Sequence, residues 1–128
     1  MARDRAADGD LFDNLNPTLR RAIRLYERLS RHRGLNHQFG RRLYGLLRRA
    51  GFVDIESHAS YDPGGRNPAY FMSPFIDPGH SATIVRLGWA DAETLAGFTA
   101  AWRSWSEDPN SVMFIAWCQA VGRKLDSF

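Results

Sequence analysis

Polar and apolar positions change period several times along the chain, and each change marks an element. Residues 1–15 carry no period: they are polar and irregular, with Leu11, Phe12 and Leu15 as apolar anchors. Asn16-Pro17 then opens a helix, because Asn caps free backbone N–H groups and Pro is tolerated at the first helical position. Leu19, Ile23, Tyr26 and Leu29 follow at helical spacing with arginines between them, and the pattern ends near Arg31 to Gly34. A second helix is predicted from Asn36 or His37 to Ala50, with Phe39, Leu43, Leu46, Leu47 and Ala50 as its apolar stripe. Gly51 supplies the left-handed position that closes many helices. The period then shortens to two. Val53, Ile55, Ser57, Ala59 and Tyr61 alternate with Asp54, Glu56, His58 and Ser60, the signature of a half-buried strand.

Asp62 to Pro68 is a loop by its Pro, Gly and Asn content. In the segment 69–88, Tyr70, Phe71, Met72, Phe75 and Ile76 are apolar, but Pro74 and Pro78 exclude one long regular helix. A short helix is expected from Ser81 to Leu87, closed by Gly88, and a better one after the Asp91 cap, carrying Leu95, Phe98, Trp102 and Trp105. Glu107 to Asn110 breaks that helix, and Val112 to Gly122 reads as a buried strand before the basic Arg123-Lys124. The expected class is α/β in a single domain: two strands, 52–61 and 112–122, with three to four helices.

Composition supports a folded chain. At 128 residues, 44% hydrophobic and 12% aromatic, it is long and apolar enough for one modest core. No stretch approaches the roughly 20 apolar residues of a membrane span, and the charged start Met1 to Arg5 is unlike a secretory signal, so the expected location is cytoplasmic. The single cysteine, Cys118, excludes an internal disulfide. Charge is uneven. Residues 1–49 hold twelve arginines against five acidic residues, while residues 50–128 hold five basic and nine acidic ones. The arginines fall mainly on the outer faces of two helices without a nucleic-acid module, so they read as solvated faces and nucleic-acid binding is not expected.

Candidate chemistry is sparse. The paired Gly64-Gly65 lies in a Pro-flanked loop, not in the strand-to-helix turn that cradles phosphate. His32, His37, His58 and His80 have no spacing that puts two on one helical face, and no metal site is expected. There is no G-x-S-x-G elbow, and Cys118 on an apolar strand reads as a core residue. Glu56 and His58, two apart on one strand, share a face and form a candidate acid/base pair, although that face is the polar one. Tyr70, Phe71 and Phe75 are candidates either for an apolar pocket or for core and partner packing.

One longer run carries more. Gly40-Arg41-Arg42-Leu43-Tyr44-Gly45-Leu46-Leu47-Arg48-Arg49-Ala50-Gly51-Phe52-Val53-Asp54-Ile55-Glu56 is a helix ending in Leu-Leu-x-x-Ala-Gly-Phe, then an alternating strand. It resembles the last helix and sixth strand of class I S-adenosylmethionine-dependent methyltransferases. Ala116 to Lys124 resembles the seventh strand of the UbiE-like small-molecule group, with its terminal Gly-Arg-Lys. Asp8 to Arg31 resembles the segment after the fifth strand, and the Trp-bearing helix resembles the insertion before the seventh. The resemblance implies a partial Rossmann-like fold, in which the sixth and seventh strands pair antiparallel, and a substrate-side role toward a small organic acceptor. The glycine-rich loop and acidic residue that hold S-adenosylmethionine in that family are not in this sequence, so no cofactor-binding residue carries over. Catalytic and substrate-binding residues are likewise unassigned. The expectation is therefore a C-terminal methyltransferase portion without its cofactor half, inactive alone; the alternative is a non-catalytic interaction or dimerisation module derived from one. Trp102, Trp105, Phe114 and Trp117 add apolar surface that predicts a homodimer or a complementary methyltransferase chain.

Overall fold

A computed structural model describes residues 1–126, with the side chains of residues 70, 73 and 74 outside that description. The class is mixed α/β with antiparallel sheets of three and two strands. The chain divides into two units, each assembled from separated segments.

The first unit comprises residues 1–11, 36–64 and 114–126. Its sheet contains β1 (Ala2–Arg5), β3 (Phe52–Tyr61) and β5 (Ala116–Lys124), with β5 in the middle and antiparallel to both neighbours. The expected pairing of residues 52–61 with the last strand is present, but that strand begins at Ala116. Residues Val112–Phe114 form a separate strand, β4, paired with β2 (Leu11–Asp13) in the other sheet. An uninterrupted apolar run hides the break. At Ala116 the amide donates to the Asp10 carboxylate (2.7 Å) while the carbonyl accepts from Ala6 N–H, so a side chain interrupts the ladder.

Residues 2–5, expected to be irregular, form β1 because their charged side chains find partners. The Arg5 guanidinium makes two bonds to Asp10, 2.8 and 2.9 Å, with both side chains buried. Arg3 stacks 4.4 Å from the Trp117 ring centre. Long basic side chains can bury their stems this way while their heads stay paired.

The alternation in β3 is also broken. Val53 pairs with Arg123 but Glu56 pairs with Val121, so one extra residue is inserted between them, and Asp54 takes φ +51°. A bulge shifts every residue before it to the opposite face. Phe52, not Val53, therefore joins Ile55 around Gly122, where an added Cβ would lie 3.0 Å from that of Phe52. One face of the sheet carries α2 (Leu43–Arg49), preceded by a 3₁₀ turn over Phe39–Arg42. The predicted second helix is thus shorter and tighter at its start. Of its stripe only Leu43 is buried, and Ala50 is exposed.

The second unit comprises residues 12–35 and 65–113. It holds α1 (Pro17–His32), α3 (Ala69–Ile76), α4 (Pro78–Arg86) and α5 (Ala92–Glu107), together with most of β2 and β4. Caps set the helix starts: Asn16 accepts from Leu19 N–H, Asp77 from Gly79 and His80 N–H, and Asp91 from Thr94 N–H. Pro78 opens α4 rather than breaking a helix, while Pro74 lies within α3. The core gathers around Trp102, which is fully buried against Phe12, Phe71 and Trp105. Trp105 donates its indole N–H to Asp13 O at 3.0 Å. Two of the four aromatics expected to overflow the core, Trp102 and Trp105, are thus enclosed within this unit. Among the described residues no helix is long and apolar enough to cross a membrane.

Candidate functional site

Within the first unit, α2 and the sheet leave a groove of about 410 Å³. Tyr44 stands on the helix side, and Ser57, Ala59 and Cys118 on the strands. Hydroxyls, a half-buried thiol and the His58 imidazole line this groove, with no carboxylate among the lining residues. The Glu56–His58 pair is formed only at its outer limit. Nε2 and Oε2 are 4.0 Å apart, with side chains 59% and 79% exposed, and water screens such a pair.

The other histidines are scattered. His80 lies in the first turn of α4 and His32 at the end of α1. His37 precedes the 3₁₀ turn, its carbonyl accepting from Ala7 N–H at 2.8 Å. Partial burial, reinforced by the nearby Arg5 guanidinium, holds its pKa below the usual 6.5, against the opposing pull of Asp4 and Asp10. Among the described residues no three His, Cys, Asp or Glu side chains cluster as a metal site would require. Phe71 and Phe75 are buried core residues, with Phe71 against Tyr26 and Phe75 against Phe98; Tyr70 lies outside the described side chains.

A second groove, of about 440 Å³, lies in the second unit and was not anticipated. Arg21, Arg24 and Arg28 stand along one stripe of α1, because spacings of three and four residues return to the same helical face. Opposite them are Trp89, Thr94 and Phe98. Gly88, at φ +73°, ends α4 and lets Trp89 N–H reach Ile84 O (3.1 Å), a six-to-one closure that fixes where the indole emerges. The Arg28 guanidinium lies 4.2 Å from the Trp89 ring centre, and His32 meets the same ring edge-on at 5.4 Å. The spacing of the arginines was visible in the sequence. Their partner Trp89 was not, because it arrives from a different helix junction.

Comparison with protein-family models and with curated proteins returned no match to the chain. The Gly64-Gly65 loop does not form an anion cradle at a helix N-terminus. The only adjacent glycines are Gly64-Gly65, and Gly65 exchanges two backbone hydrogen bonds with Met113, at 3.2 and 2.9 Å. Its amide is therefore committed, and the next helix starts only at Ala69, too late to present a helix N-terminus to an anion beside the glycines.

Proposed function

We propose that the chain is the substrate-side portion of a Rossmann-like methyltransferase acting on a small organic acceptor, with the methyl donor held by residues outside this sequence. Those residues belong either to another segment of a longer polypeptide or to a separate chain. The observation that carries the reading is the antiparallel pairing of residues 52–61 with 116–124, after a helix that ends in Leu46-Leu47-x-x-Ala50-Gly51-Phe52. That order of helix, strand, long helical connection and returning strand is what the resemblance implies for the sixth and seventh strands. β1 adds support: it directly precedes the segment that resembles the region after the fifth strand, and it pairs with β5.

The test is to express the chain with an affinity tag in its native cells and titrate S-adenosylmethionine into the isolated chain and into whatever co-purifies. The expected result is no binding by the isolated chain and saturable binding by a complex whose second component carries a glycine-rich loop. One-site micromolar binding by the chain alone would contradict the assignment of the donor site to other residues. Stable self-association, with no such component and no donor binding, would favour the alternative of an interaction module.

A further inference from the structure

The arginine-rimmed groove in the second unit has the composition of a binding site rather than of a solvated helix face. Arginines at i, i+3 and i+7 repel one another, a cost that a surface helix ordinarily relieves with interleaved carboxylates. Here the ion pairs within 4.0 Å among the described residues involve Arg3, Arg5, Arg41, His58 and Arg123, and none of them Arg21, Arg24 or Arg28. Glu27, the one carboxylate on α1, forms none of these ion pairs, and Asp91 at the start of α5 accepts from Thr94 N–H at 2.7 Å. The groove is also not merely a row of charges. Leu25 and Phe98 are buried at its base, and Trp89 forms a flat wall whose position the Gly88 closure dictates. Its volume of about 440 Å³ falls in the range of small-molecule sites, about 300–1,000 Å³.

We propose that this groove binds a small organic anion. Arg21, Arg24 and Arg28 would hold a phosphate or carboxylate head, and a flat apolar body would rest on Trp89 and Phe98. The guanidinium fork matches both head groups through paired N–H donors, so the shared chemistry is an oxyanion on an aromatic or similarly planar carrier. Size argues for a small molecule over a nucleic acid, since a groove of about 440 Å³ with a single indole offers no platform for successive bases. The inference does not rest on the methyl-transfer reading and survives its failure.

The experiment is calorimetric titration of the full chain with phenyl phosphate and with benzoate, beside inorganic phosphate. One-site saturable binding of either aromatic probe is expected, and the tighter of the two identifies the head group. Inorganic phosphate should bind at least tenfold more weakly than phenyl phosphate, because it leaves the apolar floor unused. Arg24→Gln and Arg28→Gln should each weaken binding at least tenfold; both positions are exposed, so the variants should fold, which circular dichroism would verify. Arg103→Gln, on α5 outside the groove, should leave affinity unchanged. The proposal is overturned if neither aromatic probe binds at millimolar concentration, or if Arg24→Gln binds as the parent does. Equal affinity for phosphate and phenyl phosphate would overturn the apolar part, and preferential binding of a single-stranded oligonucleotide would overturn the small-molecule assignment.

Discussion

Gly40→Ala is the substitution in which the packing of the first unit can be tested most sharply. Gly40 lies in the 3₁₀ turn before α2 and is buried over β1. A Cβ built there would stand 2.5 Å from Asp4 O and 2.7 Å from Arg5 O, both backbone atoms. Ordinary contact begins near 3.4 Å, so the turn and the strand would have to separate by about 0.7–0.9 Å. β1 can retreat only by loosening its ladder with β5, from Ala2↔Ala120 to Arg5↔Trp117. Replacing glycine by alanine at an unstrained position gains about 0.4–1 kcal/mol from the unfolded chain, and overpacking costs about 1–3 kcal/mol. The net expectation is a loss of about 1–2 kcal/mol. Gly45→Ala is the matched control: it lies within α2, and its new Cβ would meet only the mobile tip of Arg49, at 3.2 Å. There the helix propensity term should prevail, for a gain of about 0.5–1 kcal/mol. Urea denaturation followed by circular dichroism separates the two. If Gly40→Ala proves as stable as the parent, the close approach of the turn to β1 is wrong.

Three further outcomes follow from the same structure. Asp10→Asn removes the carboxylate charge from the buried Arg5–Asp10 pair and should cost about 3–5 kcal/mol in urea denaturation, as breaking a buried ion pair generally does. Asn16→Ala removes the acceptor for Leu19 N–H at the start of α1 and should cost about 1 kcal/mol, read as a lower thermal midpoint. His37 has a folded pKa below 6.5, so the unfolded chain takes up its proton first, and the stabilisation present above that value is lost as pH falls through 6.5 toward the folded pKa. The thermal midpoint should therefore drop between pH 7.5 and 5.5, and His37→Asn should flatten that part of the profile. The depressed carboxyls of Asp77, Asp91 and Asp108 act separately, since their contribution fades only as pH falls below about 3.8.

Helix ends were legible wherever local chemistry sets them. Asn16 and Asp91 cap α1 and α5 through their own side chains, and Gly51 and Gly88 take the left-handed conformation that closes a helix. What escaped the sequence was settled by distant residues. Ala2–Arg5 has the composition of an exposed tail, and only Asp10 and Trp117 make a strand of it. The bulge at Asp54 leaves the alternation of residue types intact while changing which of them face α2. The apolar run from Val112 onward contains no turn residue, so its division at Ile115 depends on Asp10 reaching Ala116 N–H. The candidate site divides the same way. Three arginines at helical spacing are a local signal, whereas Trp89, sixty-one residues beyond Arg28, enters only through tertiary packing.

The central place of β5 bears on how the chain is made. β1 and β3 are bridged through β5 alone, so neither completes its ladder until residues 116–124 have been synthesised. Ala116 lies fifty-five residues beyond Tyr61, and at roughly 5–20 residues per second a nascent β3 waits about 3–11 s for its partner. Ladders closed across such sequence separations also form slowly, because loop entropy is lost before any contact repays it. An unpaired ten-residue strand is a template for foreign chains over that interval. Asp54, Glu56 and His58, all exposed on β3, put polar and charged groups along that edge, where they discourage pairing with the wrong partner during the delay.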